Sequence, residues 1–317
     1  MATAEQIKSL LRSHFNQDSE RFLTISLQLA AHEARQGHTS LANEIKSLVD
    51  KSRSKKSRII NIQPDLKDLI FQTQPDAKLN QLIVRETVSQ RIQRLLKEYR
   101  QKARIRKYGL NNRRKLLLSG PPGTGKTLTA SIIGGELNLP LYTILVDKLI
   151  TKYMGETAAK LRQIFELIQT QQGVYLFDEF DAIGAARGRD NEVGEMRRVL
   201  NAFLQFIEND QSESFIIAAT NNPEILDKAL FRRFDDVLFY ELPEKDQFIQ
   251  LIQNRLGIFF SKFKLDDLAV KFKSLSHADV CLACDDAIKE SILDGKENVT
   301  KSILSRMLTH RREVYRY

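Results

Sequence analysis

The strongest chemical signal in the chain is a glycine-rich loop that ends in lysine and threonine, Gly120–Thr127 (GPPGTGKT). Its glycines let the backbone curl so that successive N–H groups face one point, toward which the following helix directs its positive end. In this pattern the lysine reaches the β- and γ-phosphates, and the threonine hydroxyl binds Mg²⁺. An apolar run, Leu116–Leu118, precedes the loop, and a helical pattern, Leu128–Leu137, follows it. This strand–loop–helix context predicts a nucleotide phosphate site.

Two neighbouring carboxylates complete the predicted chemistry. Asp178 and Glu179 directly follow the apolar run Val174–Phe177, which is typical of a buried strand. In a nucleotide site, the first carboxylate holds Mg²⁺, directly or through water. The second orients and polarises the attacking water. Because the carboxyl ends of parallel strands meet at one edge, we expect both residues to lie near the glycine-rich loop.

The elements that position these residues alternate between strand and helix from about residue 81 onward. Such alternation predicts an α/β fold with a parallel five-stranded sheet covered on both faces. The five predicted strands are Lys115–Ser119, Leu141–Val146, Val174–Phe177, Phe215–Ala219 and Val237–Tyr240. The α/β domain is predicted to span 81–243.

The remaining segments are predicted to be helical or linking. Residues 1–50 carry three short helical stripes, which favour a small module that docks a partner or substrate. Residues 51–80 begin with a basic, serine-rich linker and continue as an ordered connection or a short strand. Residues 244–317 show only helical patterns and predict an all-α domain.

Composition limits the class of protein. The 317 residues carry a net charge of +9. Neither a signal peptide nor a membrane-spanning run is evident, so we expect a cytoplasmic protein with no membrane partner. Cys281 and Cys284 have no second pair, so core packing is favoured over metal binding. Basic residues are concentrated in the segments 51–58 and 91–114, so nucleic-acid binding stays possible. We favour the alternative that the first segment is a solvated linker and the second a solvated helix face.

Four motifs, taken together, resemble the AAA ATPases of the AAA+ superfamily. They are residues 120–127, 174–181, 218–223 and 229–235, and the resemblance extends over about residues 80–317. It implies ATP and Mg²⁺ as ligands, a helical lid at 244–317, and a homo-oligomeric ring, most often of six subunits. The residues implied to hold ATP are Val84, Pro121, Pro122, Gly123, Thr124, Gly125, Lys126, Thr127, Leu128, Asp178 and Ala278, with Thr127 and Asp178 on the metal.

The resemblance also implies catalytic residues. Asn221 matches the polar residue that positions the water or senses the γ-phosphate. Arg232 and Arg233 match the two arginines that project into a neighbouring subunit's site, but here they are adjacent. We favour Arg233, since it directly precedes Phe-Asp as in the family pattern. His277 is a second departure, because it stands where many relatives have a small glycine beside the nucleotide.

A loop after the second predicted strand matches the family's channel loop. Tyr153 and Met154 would face a central channel, where an aromatic ring grips an extended polypeptide by area and stacking. These residues favour a ring protein that remodels, unfolds or threads protein substrates.

Two other functions stay open at this point. A nucleic-acid-associated ATPase would use the basic segments. In their general look, residues 1–50, for example residues 30–38, resemble ATPases that bacterial operons pair with a subtilisin-like serine protease in settings linked to antiviral defence. Because this chain has no protease triad of its own, proteolysis would need a separate partner.

Overall fold

The computed structural model describes residues 4–15, 19–55, 66–149, 156–183, 190–225 and 228–314. The chain separates into two compact units, Met1–Asn61 and Ile62–Tyr317. The first contains the three helices predicted for it, namely α1 (Ala4–Phe15), α2 (Ser19–Arg35) and α3 (Thr39–Lys55). The third helix continues through residues 51–55, which were predicted to begin a linker. The predicted boundaries near residues 80 and 243 stay predictions.

The second unit is built on a six-stranded sheet rather than the five-stranded one predicted. Its strands follow the order β1-β3-β4-β5-β2-β6, and all neighbours run parallel except β1 and β3. The strands are β1 (Ile70–Thr73), β2 (Lys115–Ser119), β3 (Leu141–Leu145), β4 (Val174–Asp178), β5 (Phe215–Thr220) and β6 (Asp236–Phe239).

The additional strand β1 is an antiparallel edge strand that pairs only with β3 among the described residues. Ile70 is buried, whereas Phe71 is 51% exposed, so the strand buries mainly one face. A four-residue edge strand lacks the continuous apolar run that identifies a strand covered on both faces. For this reason its sequence predicted no more than a short strand or an ordered connection.

Helices cover the sheet, and buried apolar residues of all of them except Lys102–Arg106 form its core with the strands. They are α4 (Glu86–Arg100), α5 (Lys102–Arg106), α6 (Lys126–Leu137), α7 (Val146–Leu149), α8 (Glu156–Thr170), α9 (Asp190–Asn209) and α10 (Lys228–Phe231). The helical stretch before β2 divides at Gln101 into α4 and α5, and the Gln101 backbone N–H bonds back to the end of α4.

The C-terminal part of this unit is the all-α region predicted, and it has its own core. This helical lid comprises α11 (Lys245–Leu256), α12 (Asp266–Lys271), α13 (His277–Leu293) and α14 (Lys301–Glu313). Cys284 is fully buried in the lid core, as predicted, and Cys281 packs against it. Within the described residues, no group of His, Cys, Asp and Glu could by itself hold a metal ion, and no helix is long and apolar enough to cross a membrane.

An extended segment joins the two cores. Leu82 and Val84 pack against the core of the α/β sheet, whereas Ile83 between them is buried in the lid core. Successive residues of an extended chain point to opposite sides, which explains this division. The segment therefore contacts both regions that border the cleft described below.

Candidate nucleotide-binding site

The glycine-rich loop has the backbone that its sequence predicts. Gly123 and Gly125 adopt φ values of +71° and +100°, a region that residues with a side chain rarely enter. Gly125 is also the N-cap of α6, so the loop leads directly into the positive end of that helix. The loop backbone can therefore curl around an anionic group in front of α6.

Lys126 is held inside this loop. Its Nζ donates to the carbonyls of Gly120 and Pro121 at 2.7 and 2.8 Å, and burial lowers the pKa of the ammonium group while the carboxylates of Asp178 and Asp181 raise it. The lysine is thus paired with neutral carbonyls, which a phosphate can replace as a stronger, charge-assisted partner.

The sheet brings the predicted metal ligands together. Thr127 begins α6 and Asp178 ends β4, and the threonine Oγ1 donates to the aspartate Oδ2 over 2.9 Å. A hydroxyl and a carboxylate are oxygen ligands of the kind that Mg²⁺ prefers, and Mg²⁺ completes its octahedron with water and substrate phosphates. The residues present therefore fit a magnesium ion shared with a nucleotide.

Glu179 occupies a strained backbone position next to these ligands. Its φ is +53°, which is uncommon for a residue with a side chain and occurs often at functional sites. Its N–H donates to the Asp178 Oδ1 at 3.0 Å. Asn221 follows β5, and its N–H donates to the Asp181 Oδ1 at 3.3 Å. Both Glu179 and Asn221 line the same cleft as the glycine-rich loop.

This cleft has a volume of about 430 Å³ and is bordered by the loop, the strand ends and the helical lid. The Ala278 N–H donates to the Gly123 carbonyl at 3.0 Å, which ties the first turn of α13 to the loop. The residues that line the cleft are Gln81, Leu82, Ile83, Pro122, Gly123, Thr124, Gly125, Lys126, Thr127, Leu128, Asp178, Glu179, Asn221, Leu251, His277, Ala278 and Cys281.

Two predicted nucleotide contacts are not among the described residues that line the cleft. Val84 does not line the cleft; it packs on the α/β core and borders a separate small cavity, while Leu82 and Ile83 take its place in the cleft wall. Pro121 contributes its carbonyl to Lys126 rather than a surface to the cleft. Leu82 and Ile83 therefore both line the cleft although they pack on different cores, whereas Val84, which shares a core with Leu82, does not.

Several cleft residues were missed at the level of sequence. Leu251 and Cys281 come from the lid helices α11 and α13, where apolar residues at helical spacing predict only core packing. His277, which was identified only as a departure from the family pattern, also lines the cleft and is 9% exposed.

The two adjacent arginines differ in their partners. Arg233 forms an ion pair with Glu208 near the end of α9. Arg232 is exposed and has no ion pair within the described part of the chain. Neither arginine is among the described residues that line the cleft of the same chain. Tyr153 and Met154 lie outside the described residues.

Comparisons with known proteins agree with this geometry. The family model described as "ATPase family associated with various cellular activities (AAA)" matches residues 116–242. The chain is 33% identical over 318 residues to "Uncharacterized AAA family ATPase y4kL" of Sinorhizobium fredii, an alignment that covers 97% of this chain and 95% of that protein.

More distant relatives match over part of their length. The chain is 34% identical over 199 residues to "ATP-dependent zinc metalloprotease FtsH" of Parabacteroides distasonis, covering 58% of this chain and 28% of that protein. It is 31% identical over 205 residues to "Putative 26S proteasome regulatory subunit homolog" of Methanothermobacter thermautotrophicus, an alignment that covers 63% of this chain and 55% of that protein. The chain therefore spans less than two thirds of each of these two relatives.

Proposed function

The chain belongs to the AAA family of ATPases, and from this premise we propose that it hydrolyses ATP in the cleft between the glycine-rich loop and the helical lid, in order to remodel protein substrates. The observation that carries the proposal is the contact between the Thr127 hydroxyl and the Asp178 carboxylate. The Thr127 Oγ1 and the Asp178 Oδ2 lie 2.9 Å apart, and both residues line the cleft with Lys126 and Glu179, which supports the proposed metal site.

Each side chain has a role that follows from its position. The loop N–H groups and Lys126 bind the phosphates. Thr127 and Asp178 would hold Mg²⁺, which would neutralise the charge that develops on the phosphoryl oxygens. Glu179 accepts a hydrogen bond from the attacking water and orients it. Asn221, at the next strand end, positions the same water or contacts the γ-phosphate.

An arginine from a neighbouring subunit completes the site in this proposal. Arg232 and Arg233 follow α10 on the chain and are both exposed. Each is therefore available to a second copy, once Arg233 leaves Glu208. An arginine supplied in this way is worth roughly 10³–10⁵ in rate. We propose a homo-oligomeric ring, with six subunits as the family resemblance implies.

Protein is the substrate class that the comparisons favour. One relative is named a protease and another a proteasome regulatory subunit homolog. Tyr153 and Met154 are the residues that we propose to grip the polypeptide in the channel. An unfolded protein should stimulate ATP hydrolysis, and double-stranded DNA should not. Stimulation by DNA alone would favour the nucleic-acid alternative.

The structure gives the nucleic-acid alternative little support, because many cations of the basic stretch are already paired. Arg100 contacts Glu136 at 2.9 Å, and Arg106 contacts Glu213 at 2.6 Å. Further ion pairs are Arg91–Asp236, Arg94–Glu98, Lys102–Glu213, Arg113–Asp236 and Arg114–Asp210. Apart from Arg94–Glu98, which lies within α4, these pairs join α4, α5 and the following loop to other elements, so the charge serves packing of the domain.

A separate serine protease and a role in antiviral defence form a narrower proposal, which rests on the resemblance of residues 1–50. The helices of the first unit would dock this partner or the substrate. Purification of the Glu179→Gln form from the native host, with ATP present, tests the proposal. A serine protease in the complex would support it, and its absence would remove this partner.

The central test uses matched variants. Lys126→Ala should abolish nucleotide binding, whereas Glu179→Gln should bind ATP, stop hydrolysis and stabilise the ring. Glu297→Gln makes the same chemical change at an exposed lid position and should behave as wild type. Normal turnover by Glu179→Gln would refute its role. Mixing Lys126→Ala chains with chains that lack both Arg232 and Arg233 should restore some hydrolysis, because intact half-sites then meet.

A further inference from the structure

Asp235 fixes the chain just after the two adjacent arginines. Its carboxylate Oδ2 accepts hydrogen bonds from the backbone N–H groups of Arg114 and Lys115, at 2.8 and 2.9 Å. Its own N–H donates to the Lys115 carbonyl at 2.8 Å. Hydrogen bonds from N–H groups to a carboxylate are charge-assisted and are stronger than those between neutral groups. Three hydrogen bonds therefore hold Asp235 against the start of β2.

The segment that carries the two arginines is held at both ends. On the side of α10, the Arg233 N–H donates to the Leu230 carbonyl at 3.0 Å. Phe234 is buried, and Asp235 follows it directly. The side chains of Arg232 and Arg233 are exposed on this short turn. Their backbone is thus fixed between α10 and the hydrogen bonds of Asp235, while their guanidinium groups face outward from the chain.

The side chains of Arg114 and Lys115 attach the end of α9 to the same point. The Lys115 ammonium group donates to the Ile207 carbonyl. The Arg114 guanidinium group donates to the Asp210 carbonyl at 2.6 Å and forms an ion pair with the carboxylate of the same residue. Both contacts lie close in the chain to Glu208, which pairs with the second arginine. Residues 114 and 115 therefore hold the arginine segment through their backbone and the helix of Glu208 through their side chains.

We propose that Asp235 is a positioning residue for the arginine that completes the site of a neighbouring subunit. This inference rests on the proposed function, in which Arg232 or Arg233 contacts the nucleotide of a second copy. Asp235 does not contact that nucleotide; it fixes the backbone from which the arginine extends. A guanidinium group must meet the phosphate oxygens in a defined geometry, and a misplacement of about 1 Å costs about 10²-fold in rate.

The strand that holds Asp235 makes this support rigid. β2 lies between β5 and β6 in the sheet, and it leads directly into Gly120 of the glycine-rich loop. Its amino end holds Asp235, and its carboxyl end leads to the phosphate site of the same chain. An arginine side chain loses rotamer freedom when it binds, so a fixed backbone keeps the entropy cost of the contact low. One strand thus connects the phosphate site of a chain with the arginine that the chain offers to the next.

A purely structural role is the alternative. The hydrogen bonds of Asp235 also join the starts of β2 and β6, and they would then contribute only to the stability of the sheet. In that case Asp235→Ala would lower Tm and leave the turnover of the folded protein unchanged.

Two substitutions at Asp235 separate these roles when ATP turnover and ADP affinity are both measured. Asp235→Ala removes the acceptor and should lower kcat by about 10²-fold. ADP affinity should stay unchanged, because Asp235 is not among the described residues that line the cleft. Asp235→Asn keeps one oxygen that can accept both N–H groups, so its kcat should stay within about tenfold of wild type. Asp294→Ala removes an exposed carboxylate of the lid as a matched control and should behave as wild type.

Mixed assemblies identify which half of the shared site is defective. Asp235→Ala keeps the glycine-rich loop intact, so mixing it with Lys126→Ala chains, whose arginines are intact, should restore part of the hydrolysis. Recovery in this mixture also shows that Asp235→Ala is folded. Mixing Asp235→Ala with chains that lack both Arg232 and Arg233 should restore no hydrolysis, because no subunit then supplies a well-placed arginine.

The inference is overturned by unchanged kcat in Asp235→Ala or by recovery with the chains that lack both arginines. It is also overturned if Asp235→Ala shows no recovery with Lys126→Ala. The mixture of Lys126→Ala with the chains that lack both arginines is the reference for a shared site. If this reference restores no hydrolysis, the proposed site between subunits fails, and the role of Asp235 fails with it. If the reference recovers and the Asp235→Ala mixture does not, only the role of Asp235 is wrong.

Discussion

Replacement of Gly123 by alanine tests the contact between the loop and the lid. The Gly123 φ of +71° strains any other residue, and a Cβ there would lie 2.4 Å from the Ser276 Oγ. Ser276 caps α13, since its Oγ accepts from the Asp279 N–H at 3.2 Å and donates to the Asp279 carboxylate at 2.6 Å. The substitution therefore strains the backbone and also displaces a helix cap.

The magnitude follows from these two effects. A side chain in a left-handed conformation costs about 1–2 kcal/mol, and loss of a helix N-cap costs about 0.5–2 kcal/mol. Gly123→Ala should thus destabilise the second unit by about 1.5–4 kcal/mol. Each kcal/mol lowers Tm by about 2–4 °C for a domain of this size. Nucleotide affinity should fall at least tenfold, because the cleft wall moves with Ser276 and Ala278.

Gly295 provides a matched control. Its φ is +66°, but an added Cβ would meet nothing within 4 Å. Gly295→Ala should therefore cost only the backbone strain, about 1–2 kcal/mol, and leave nucleotide affinity unchanged. Thermal denaturation and ADP titration of both variants measure the difference. Equal losses of stability and equal affinities would refute the inference that Gly123 is required by the approach of the lid.

Two further predictions concern ionisable groups. Glu208→Gln removes the ion pair with Arg233 and should raise ATP turnover at limiting subunit concentration. The increase should be at most about fivefold, because an exposed ion pair contributes at most about 1 kcal/mol. A fall in turnover would show that the Glu208 carboxylate helps to position Arg233. The pKa of His277 is about 4 in the folded chain, whereas that of an unfolded histidine is about 6.5. The unfolded chain therefore binds a proton first as the pH falls below 6.5. The free energy of unfolding should decrease by about 3 kcal/mol in total as the pH falls toward 4. Denaturant titrations between pH 7 and 4 should show this loss in wild type and not in His277→Phe, and identical acid slopes would contradict the assignment.

Strands buried on both faces were predictable to within a residue or so. Val174–Asp178 and Phe215–Thr220 are continuous apolar runs that end in a polar residue, and no other element accounts for such a pattern as simply. The sequence did not predict β1 as a definite strand, because β1 is short and lies at the edge of the sheet. Its pairing with β3 involves residues about seventy positions apart, which no local pattern reports.

Residue types alone identified the glycine-rich loop, Asp178 and Glu179, because their chemistry requires those side chains at that spacing whatever the rest of the chain does. Tertiary structure alone decided that Leu82 and Ile83, but not Val84, line the cleft, that His277 is enclosed beside it, and that Arg233 meets Glu208. These outcomes depend on how the lid, the sheet and α9 pack together. A local sequence pattern reports the periodicity of one helix or strand. It does not report which other element each face of that helix or strand will pack against.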